Sequence, residues 1–431
     1  MKRKSSATED RCQKQKRCRT SSMGGIRDPS LQYIKAPLKA PMVTTARKFF
    51  REHSPASGGF EVVCGALDGW RTVAKLAVRG SRDGFITRGG SIGLFAPGSH
   101  DIVPCFESPV QHASINQAAV MVEQACVASK TTGFREDMEK GLLRYLLLAV
   151  ETSSNKVQLV LVVNCDPSDV QESDRKMMEK LVETIWDRAS TLLLSLWIHF
   201  HPAGRHDNAI TGRLDGSWKL VKGTEDLSVR ILEGDDGPPN PPPLYFPPNV
   251  FRQANLGGFG NIIRSMRRFV PKKSRVIELY GGVGTIGLNL YDLVKRLQCS
   301  DENPYNKECF NKSLEILCEE SGKRRYRKRI NYITSSASER ADSGDLTSGE
   351  YKILIVDPPR KGLDEKVVQQ LIITGSTAIE RVLYVSCGFK AFQRDCQRLT
   401  GSGRWVLTHA EGHVLFPGAD HIETFAVFDK K

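Results

Sequence analysis

"VIELYGGVGTIGLNL", residues 276–290, decides the fold. An apolar run reaches Glu278 and Tyr280 and passes at once into glycines at 281, 282 and 284, with a fourth at 287. A strand that ends in such a turn lets backbone approach a ligand closely, and Gly287 can seat the next element against the sheet. Loops of this kind serve a nicotinamide dinucleotide, a flavin or S-adenosylmethionine. An acidic residue inside the end of the strand, without the strict G-x-G-x-x-G spacing, favours the last of these over a dinucleotide.

Downstream, strand-like runs at 275–280, 330–334, 352–357, 381–386, 404–409 and 423–428 alternate with helical spacing at 285–297, 304–321, 364–374 and 390–399. That alternation predicts an α/β fold with a mostly parallel sheet covered on both faces. Ligands of such sheets lie at the carboxyl ends of the strands. Four features fall there. "CSDENP" (299–304) puts Asp301 at the end of the second strand, where a carboxylate can accept from both hydroxyls of a ribose. "LIVDPPRKGL" (354–363) makes a rigid corner presenting Asp357 and Arg360. "LYVSCGFKAFQRDC" (383–396) stops its apolar run at Cys387, and "FPGADHIETFAVF" (416–428) carries Glu423. A thiolate and a carboxylate on one edge suit chemistry at carbon 5 of uracil. The thiolate adds to carbon 6, carbon 5 becomes nucleophilic, and a base later removes the carbon 5 proton.

Upstream, 71–80, 143–151 and 156–164 alternate like strands of an antiparallel sheet, and 174–190 has helical spacing at Met178, Leu181, Ile185 and Trp186, together an α+β unit. Seven prolines within 238–248 predict an extended connector. The chain has 431 residues and a formal net charge of +13, and residues 1–52 hold 14 Lys/Arg against 4 Asp/Glu. That beginning reads as a disordered basic tail, serving as a nuclear address, a polyanion-binding arm or a solubiliser, with an organelle signal also open. No secretory signal pattern and no stretch of membrane-spanning length is present, so an intracellular soluble protein is expected. Eleven cysteines without a Cys-x-x-Cys pair argue for free thiols and against a structural metal. The organisation expected is a tail over 1–50, an α+β RNA-facing domain over 51–249, and a catalytic domain over 250–431.

Residues 250–431 resemble the S-adenosylmethionine-dependent RNA (uracil-5-)-methyltransferases. "FRQAN" (251–255), "ELYGGVGTIGL" (278–288), "DPPRKG" (357–362), "YVSCGFKAFQRD" (384–395) and "FPGADHIET" (416–424) carry the likeness, in order and at compatible spacing. It extends more faintly to "GLLRYLLLAV", "LVLVVN", "HFHPAGRHDNAITG" and "ILEG" upstream. The resemblance implies a seven-stranded, Rossmann-like class I methyltransferase domain. It implies Cys387 as nucleophile, Glu423 as base, and Gln253, Tyr280, Thr285, Asp301 and Asp357 as contacts to S-adenosylmethionine; Gln253 rests on the resemblance alone. An RNA substrate, tRNA or rRNA, and a monomer are expected, with no metal.

Two departures stand out. Gly388 and Phe389 replace the Asn and the Pro that usually follow the nucleophile, and Gly281 replaces a loop cysteine. A cytosine-5 methyltransferase is disfavoured because the 357–360 corner lacks the Pro-Cys such enzymes place there, and a relative without catalysis is the third reading. "GKRRYRKRINY" (322–332), with six Lys/Arg, is a candidate RNA contact, and Trp70–Arg71 and His199–His206 are weaker ones.

Overall fold

The computed structural model describes residues 29–202, 217–234, 236–373 and 377–431. Its strands, in chain order, are β1 (Glu61–Cys64), β2 (Val73–Val78), β3 (Ile92–Phe95), β4 (Ile102–Val103), β5 (Leu143–Glu151), β6 (Lys156–Val163), β7 (Leu193–Phe200) and β8 (Trp218–Gly223). There follow β9 (Ser228–Val229), β10 (Leu244–Tyr245), β11 (Ser274–Leu279), β12 (Val294–Asp301), β13 (Ile330–Thr334), β14 (Ile353–Val356), β15 (Arg381–Ser386), β16 (Trp405–Val414) and β17 (Glu423–Lys430).

An eight-stranded sheet runs in the order β1-β16-β17-β15-β14-β11-β12-β13. Strands β11 to β15 pair in parallel, β17 runs antiparallel to β15 and β16, and β1 adds in parallel at the β16 edge. The expected doubly covered sheet is present. Alternate residues feed opposite cores: Val276 and Leu383 pack beneath helices Leu256–Arg267 and Tyr305–Glu320, whereas Ile277 and Tyr384 pack beneath Glu365–Ile372 and Phe389–Gly401.

Three expectations need correction. The helix expected over 285–297 is a single 3-10 turn, Gly287–Leu290, after which β12 already begins at Val294. Its helix-like apolar spacing has another origin: Leu288, Leu290, Tyr291 and Leu297 are buried one by one as the chain returns to the sheet. The tail expected over 1–50 ends sooner, because Pro41–Glu52 is a helix whose Val43, Ala46, Phe49 and Phe50 are buried, with Phe49 edge-on to Phe389 at 5.8 Å. Residues 1–28 lie outside the described residues. Finally, β1 lies within the range expected for the α+β domain, yet it completes the edge of the catalytic sheet.

A second sheet runs β4-β3-β2-β5-β6-β7-β8, antiparallel except for β6–β7, whose parallel pairing follows from the crossover helix Glu172–Ala189. That helix and Ala113–Ser129 bury one face of the sheet through Ile115, Val122, Leu181 and Ile185. The later part of the proline-rich stretch is extended and buried, where β10 pairs with β9 and Leu244 and Phe246 join the core of the first sheet, whereas Pro239 and Asn240 form an exposed bend. Among the described residues, no helix is long and apolar enough to cross a membrane.

Candidate active site

The turn after β11 is built to bring main chain up to a ligand. Tyr280, Gly282 and Gly284 have positive φ of 59°, 53° and 84°. A Cβ on Gly281 would stand 2.3 Å from Cys299 Sγ, so the volume of the missing loop cysteine is taken by a thiol from β12. A Cβ on Gly287 would stand 2.3 Å from Glu278 Oε2. The reason is that Gly287 N–H donates to both oxygens of the Glu278 carboxyl, at 3.3 and 3.1 Å. Burial pushes that carboxyl up to about 8, against the opposing hydrogen bonds from Cys299 and Gly287. Gly287→Ala therefore breaks the brace of the loop, and we expect a Tm several degrees lower together with weakened S-adenosylmethionine binding, checked by calorimetry of both.

Asp301 ends β12 and faces the same turn. Its Oδ2 accepts from Gly282 N–H at 3.1 Å, while Oδ1 accepts from Asn303 N–H and Asn306 Nδ2, both at 3.0 Å. The carboxylate is thus fixed in place, with acceptor capacity to spare for a ligand hydroxyl. The Tyr280 hydroxyl accepts from Asp364 N–H at 3.0 Å, tying the glycine turn to the loop after Asp357. Thr285 contributes its carbonyl to Asn289 Nδ2 at 2.8 Å. Gln253 is half-buried in a segment pinned on both sides: Arg252 Nη2 donates to Val150 O at 2.6 Å, and Asn255 Nδ2 donates to Leu415 O at 2.7 Å. A glycine cradle flanked by a fixed carboxylate fits an adenosine-bearing ligand such as S-adenosylmethionine.

Beyond β14, β15 and at the start of β17 stand Asp357, Cys387 and Glu423. Pairing sets their relation, since Val356 lies opposite Tyr384 and Ser386 opposite Thr424, which brings the residues that follow β14 and β15 to the end where β17 begins. Burial raises all three groups. Asp357 is pushed up to about 7, Glu423 to about 8, and the Cys387 thiol to about 11, the last two helped by the Asp357 charge and opposed by Arg360. Glu423 is 3% exposed, whereas Cys387 is only partly buried and so remains reachable. Arg360, at the proline corner, is a cation that counters the rise at Cys387 and Glu423.

His421 was not among the residues picked out from the sequence. Its Nε2 donates to the main-chain O of Cys387 at 3.0 Å and stands 4.0 Å from Glu423 Oε1, so it is tied to the Cys387 turn and lies near Glu423. Nδ1 is buried and meets no hydrogen-bond partner among the described residues. Burial, helped by Arg360, holds the ring below the usual histidine range and therefore neutral. Its place two residues before Glu423 was the available signal.

Gly388 is explained by space. A Cβ there would lie 2.5 Å from Arg360 O and 3.0 Å from Arg360 Cα, so the turn after Cys387 packs against the main chain of the proline corner. Gly388→Asn, which restores the residue usual in similar enzymes, should cost about 1–3 kcal/mol of stability and lower rather than raise activity, as denaturant titration and a rate assay would show.

The remaining candidates separate from this edge. Residues 323–329 precede β13 and so lie at the amino end of the sheet, opposite the site; there Arg329 covers the Tyr326 ring at 4.5 Å and Arg327 pairs with Glu315 at 2.7 Å. His199 stacks on Trp218 with centroids 3.9 Å apart, and His201 Nδ1 meets Arg144 Nη1 at 2.8 Å; His206 lies outside the described residues. Trp70 does reach the site, edge-on to Phe416 at 5.6 Å.

Residues 331–431, which hold Asp357, Cys387 and Glu423, match the family model of the tRNA (uracil-5-)-methyltransferases. An uncharacterised RNA methyltransferase of Protochlamydia amoebophila is 34% identical over 368 residues, 85% of this chain and 87% of that protein. The chain belongs to the RNA (uracil-5-)-methyltransferase family. A further relative, an uncharacterised RNA methyltransferase of Lactococcus lactis, is 24% identical across 84% of this chain and 71% of its own length. Among solved structures, the tRNA (uracil-54, C5)-methyltransferase of Pyrococcus abyssi, in complex with S-adenosyl-L-homocysteine, superposes with a TM-score of 0.63 at 20% identity, covering 90% of this chain and 82% of that one. At that identity the likeness speaks for the fold, a methyltransferase sheet preceded by a second sheet. The family's methyl donor agrees with the glycine cradle.

Proposed function

We propose that this protein transfers a methyl group to carbon 5 of a uridine in RNA through a covalent bond between Cys387 and carbon 6. The observation that carries this reading is the convergence of Cys387, Glu423 and Arg360 on one strand edge, with His421 donating to the Cys387 main-chain carbonyl and standing 4.0 Å from Glu423. S-adenosylmethionine, when bound, supplies an electrophilic methyl group; Gln253, Tyr280, Thr285, Asp301 and Asp357 would hold it.

Cys387, partly open to solvent, gives its proton to water and adds to carbon 6, so that the electron pair of the carbon 5–carbon 6 double bond becomes available at carbon 5. Arg360 favours the thiolate. Once carbon 5 carries the methyl group, Glu423 takes the remaining carbon 5 proton, the double bond re-forms, and the sulfur–carbon 6 bond breaks to return the thiolate. Glu423 sits in a buried pocket where neutral and ionised forms interchange near pH 8, which suits a group that accepts a proton in each turnover. The target base must leave its stack to reach Cys387.

The test is transfer of a radiolabelled methyl group from S-adenosylmethionine to tRNA and rRNA transcripts, with digestion to nucleosides. Label in 5-methyluridine is expected. Label in 5-methylcytidine, or none with either RNA class, would overturn the reading.

A further inference from the structure

The segment that joins the second sheet to the catalytic edge carries a cation whose donors are not all used. Arg252, 7% exposed, donates from Nη2 to Val150 O at 2.6 Å, whereas its buried Nε and Nη1 meet no hydrogen-bond partner among the described residues. Burial holds the guanidinium down, to about 9, with Glu151 pulling the other way, so it is still charged at neutral pH. A buried guanidinium with two idle N–H groups weighs against the fold, and an acceptor brought in by a ligand relieves it.

Arg252 forms part of the wall of a cavity of about 240 Å³ between the second sheet and the connector. Leu147, Ala149 and Val160 contribute to it from β5 and β6, and Phe246 and Pro247 from the connector. The guanidinium carbon stands 5.6 Å from the Phe246 ring centre, and Lys75, which is exposed, belongs to the same lining. Three residues beyond Arg252, Asn255 Nδ2 donates to Leu415 O, so one short stretch through Gln253 ties this cavity to the catalytic edge.

The cavity is smaller than the sites that take drug-sized ligands and suits a single planar ring system. Its apolar walls disfavour a bare phosphate, which would have to shed its water against Leu147 and Val160. A flat ring with an acceptor edge meets both demands. Guanine presents O6 and N7 side by side, the pair that a guanidinium fork matches, whereas adenine has an amino donor in place of O6 and the pyrimidines have no N7. We infer that this cavity holds a guanine base of the RNA substrate, read by Arg252 at O6 and N7, with Lys75 beside the phosphate of the same nucleotide. Such readout takes an unstacked base, as RNA loops provide. The inference rests on the proposed action on RNA and adds to it a second base, one that is bound and not methylated.

The test measures direct binding of two transcripts of the same tRNA or rRNA segment, one ordinary and one with 7-deazaguanosine at every guanosine, which removes N7 and leaves Watson–Crick pairing intact. Wild type, Arg252→Lys and Ala149→Leu are compared, with Tm recorded for each. Arg252→Lys keeps the charge without the fork, and Ala149→Leu fills the cavity while sparing the bond from Arg252 to Val150, so the second variant decides should the first fail to fold. Wild type should bind the 7-deaza transcript about fivefold more weakly, and both variants should bind the two transcripts within about twofold of each other. Equal binding of both transcripts by wild type would overturn the inference. So would the same fivefold loss in a folded variant, which would place the effect in the RNA or at another contact. Should wild type methylate no uridine, the proposed reaction fails, and the binding comparison still decides whether the cavity reads guanine.

Discussion

Cys387→Ala loses methyl transfer by on the order of 10⁴-fold or more while the protein stays folded and continues to bind S-adenosylmethionine. The physical reason is that no neighbouring group can replace the bond to carbon 6: among the described residues Cys299 and Cys396 are buried, and Cys64, partly open like Cys387, lies on β1, three strands away from β15. Covalent trapping makes the point directly. With RNA carrying 5-fluorouridine, fluorine at carbon 5 cannot leave as a proton, so elimination stops and the protein stays joined to the RNA through denaturing electrophoresis. The shifted band should form with wild type and vanish in Cys387→Ala. A band that survives the substitution would place the nucleophile elsewhere. The pH dependence has a definite sign, because a thiol pushed up to about 11 holds little thiolate at neutral pH and trapping should accelerate as pH rises.

Glu423→Gln separates the two halves of the reaction and should slow turnover by about 10²- to 10⁴-fold. Bond formation by Cys387 does not need the carboxylate, whereas release does. Adduct with ordinary uridine RNA should therefore accumulate in this variant, and a variant that forms no adduct at all would assign Glu423 to the first step instead. The same substitution should stabilise the fold. A carboxyl whose folded-state value is raised from 4.5 to about 8 favours folding fully only below the unfolded value, and that contribution is lost as pH rises through about 8. Glutamine cannot ionise, so the Tm advantage of the variant should be small near pH 4.5 and grow to roughly 2–4 °C or more by pH 8.5. Asp357 and Glu278 are raised in the same direction, which makes this catalytic edge as a whole less stable in alkali and fits a site where stability is given up for reactivity.

Both predictions concern residues that were legible in the sequence. Cys387, Glu423, Asp357 and Asp301 each sit where an apolar run ends or begins, and in a parallel sheet such positions gather on one edge whatever the rest of the chain does. The sheet itself was legible for the same reason, since strands buried on both faces must be written as apolar runs. Local spacing misled where burial was not periodic. Leu288, Leu290 and Leu297 mimic a helix although each is buried by a different neighbour along an irregular return to β12. Helix Pro41–Glu52 was hidden by the charge around it, although Val43, Ala46, Phe49 and Phe50 carry a helical stripe.

The amino-acid sequence by itself determined the α/β class, the strand-end placement of Cys387 and Glu423, and the glycine turn, because these depend on short-range patterns and on the single way a parallel sheet can be wound. Only the tertiary structure decided that Gly388 is required by the main chain of Arg360, that His421 is tied to the main chain of Cys387 and stands near Glu423, and that Arg71 reaches the catalytic edge from 345 residues before Phe416 in the chain. Each of these is a contact between segments far apart in sequence, set by how whole elements pack, and no local spacing encodes it.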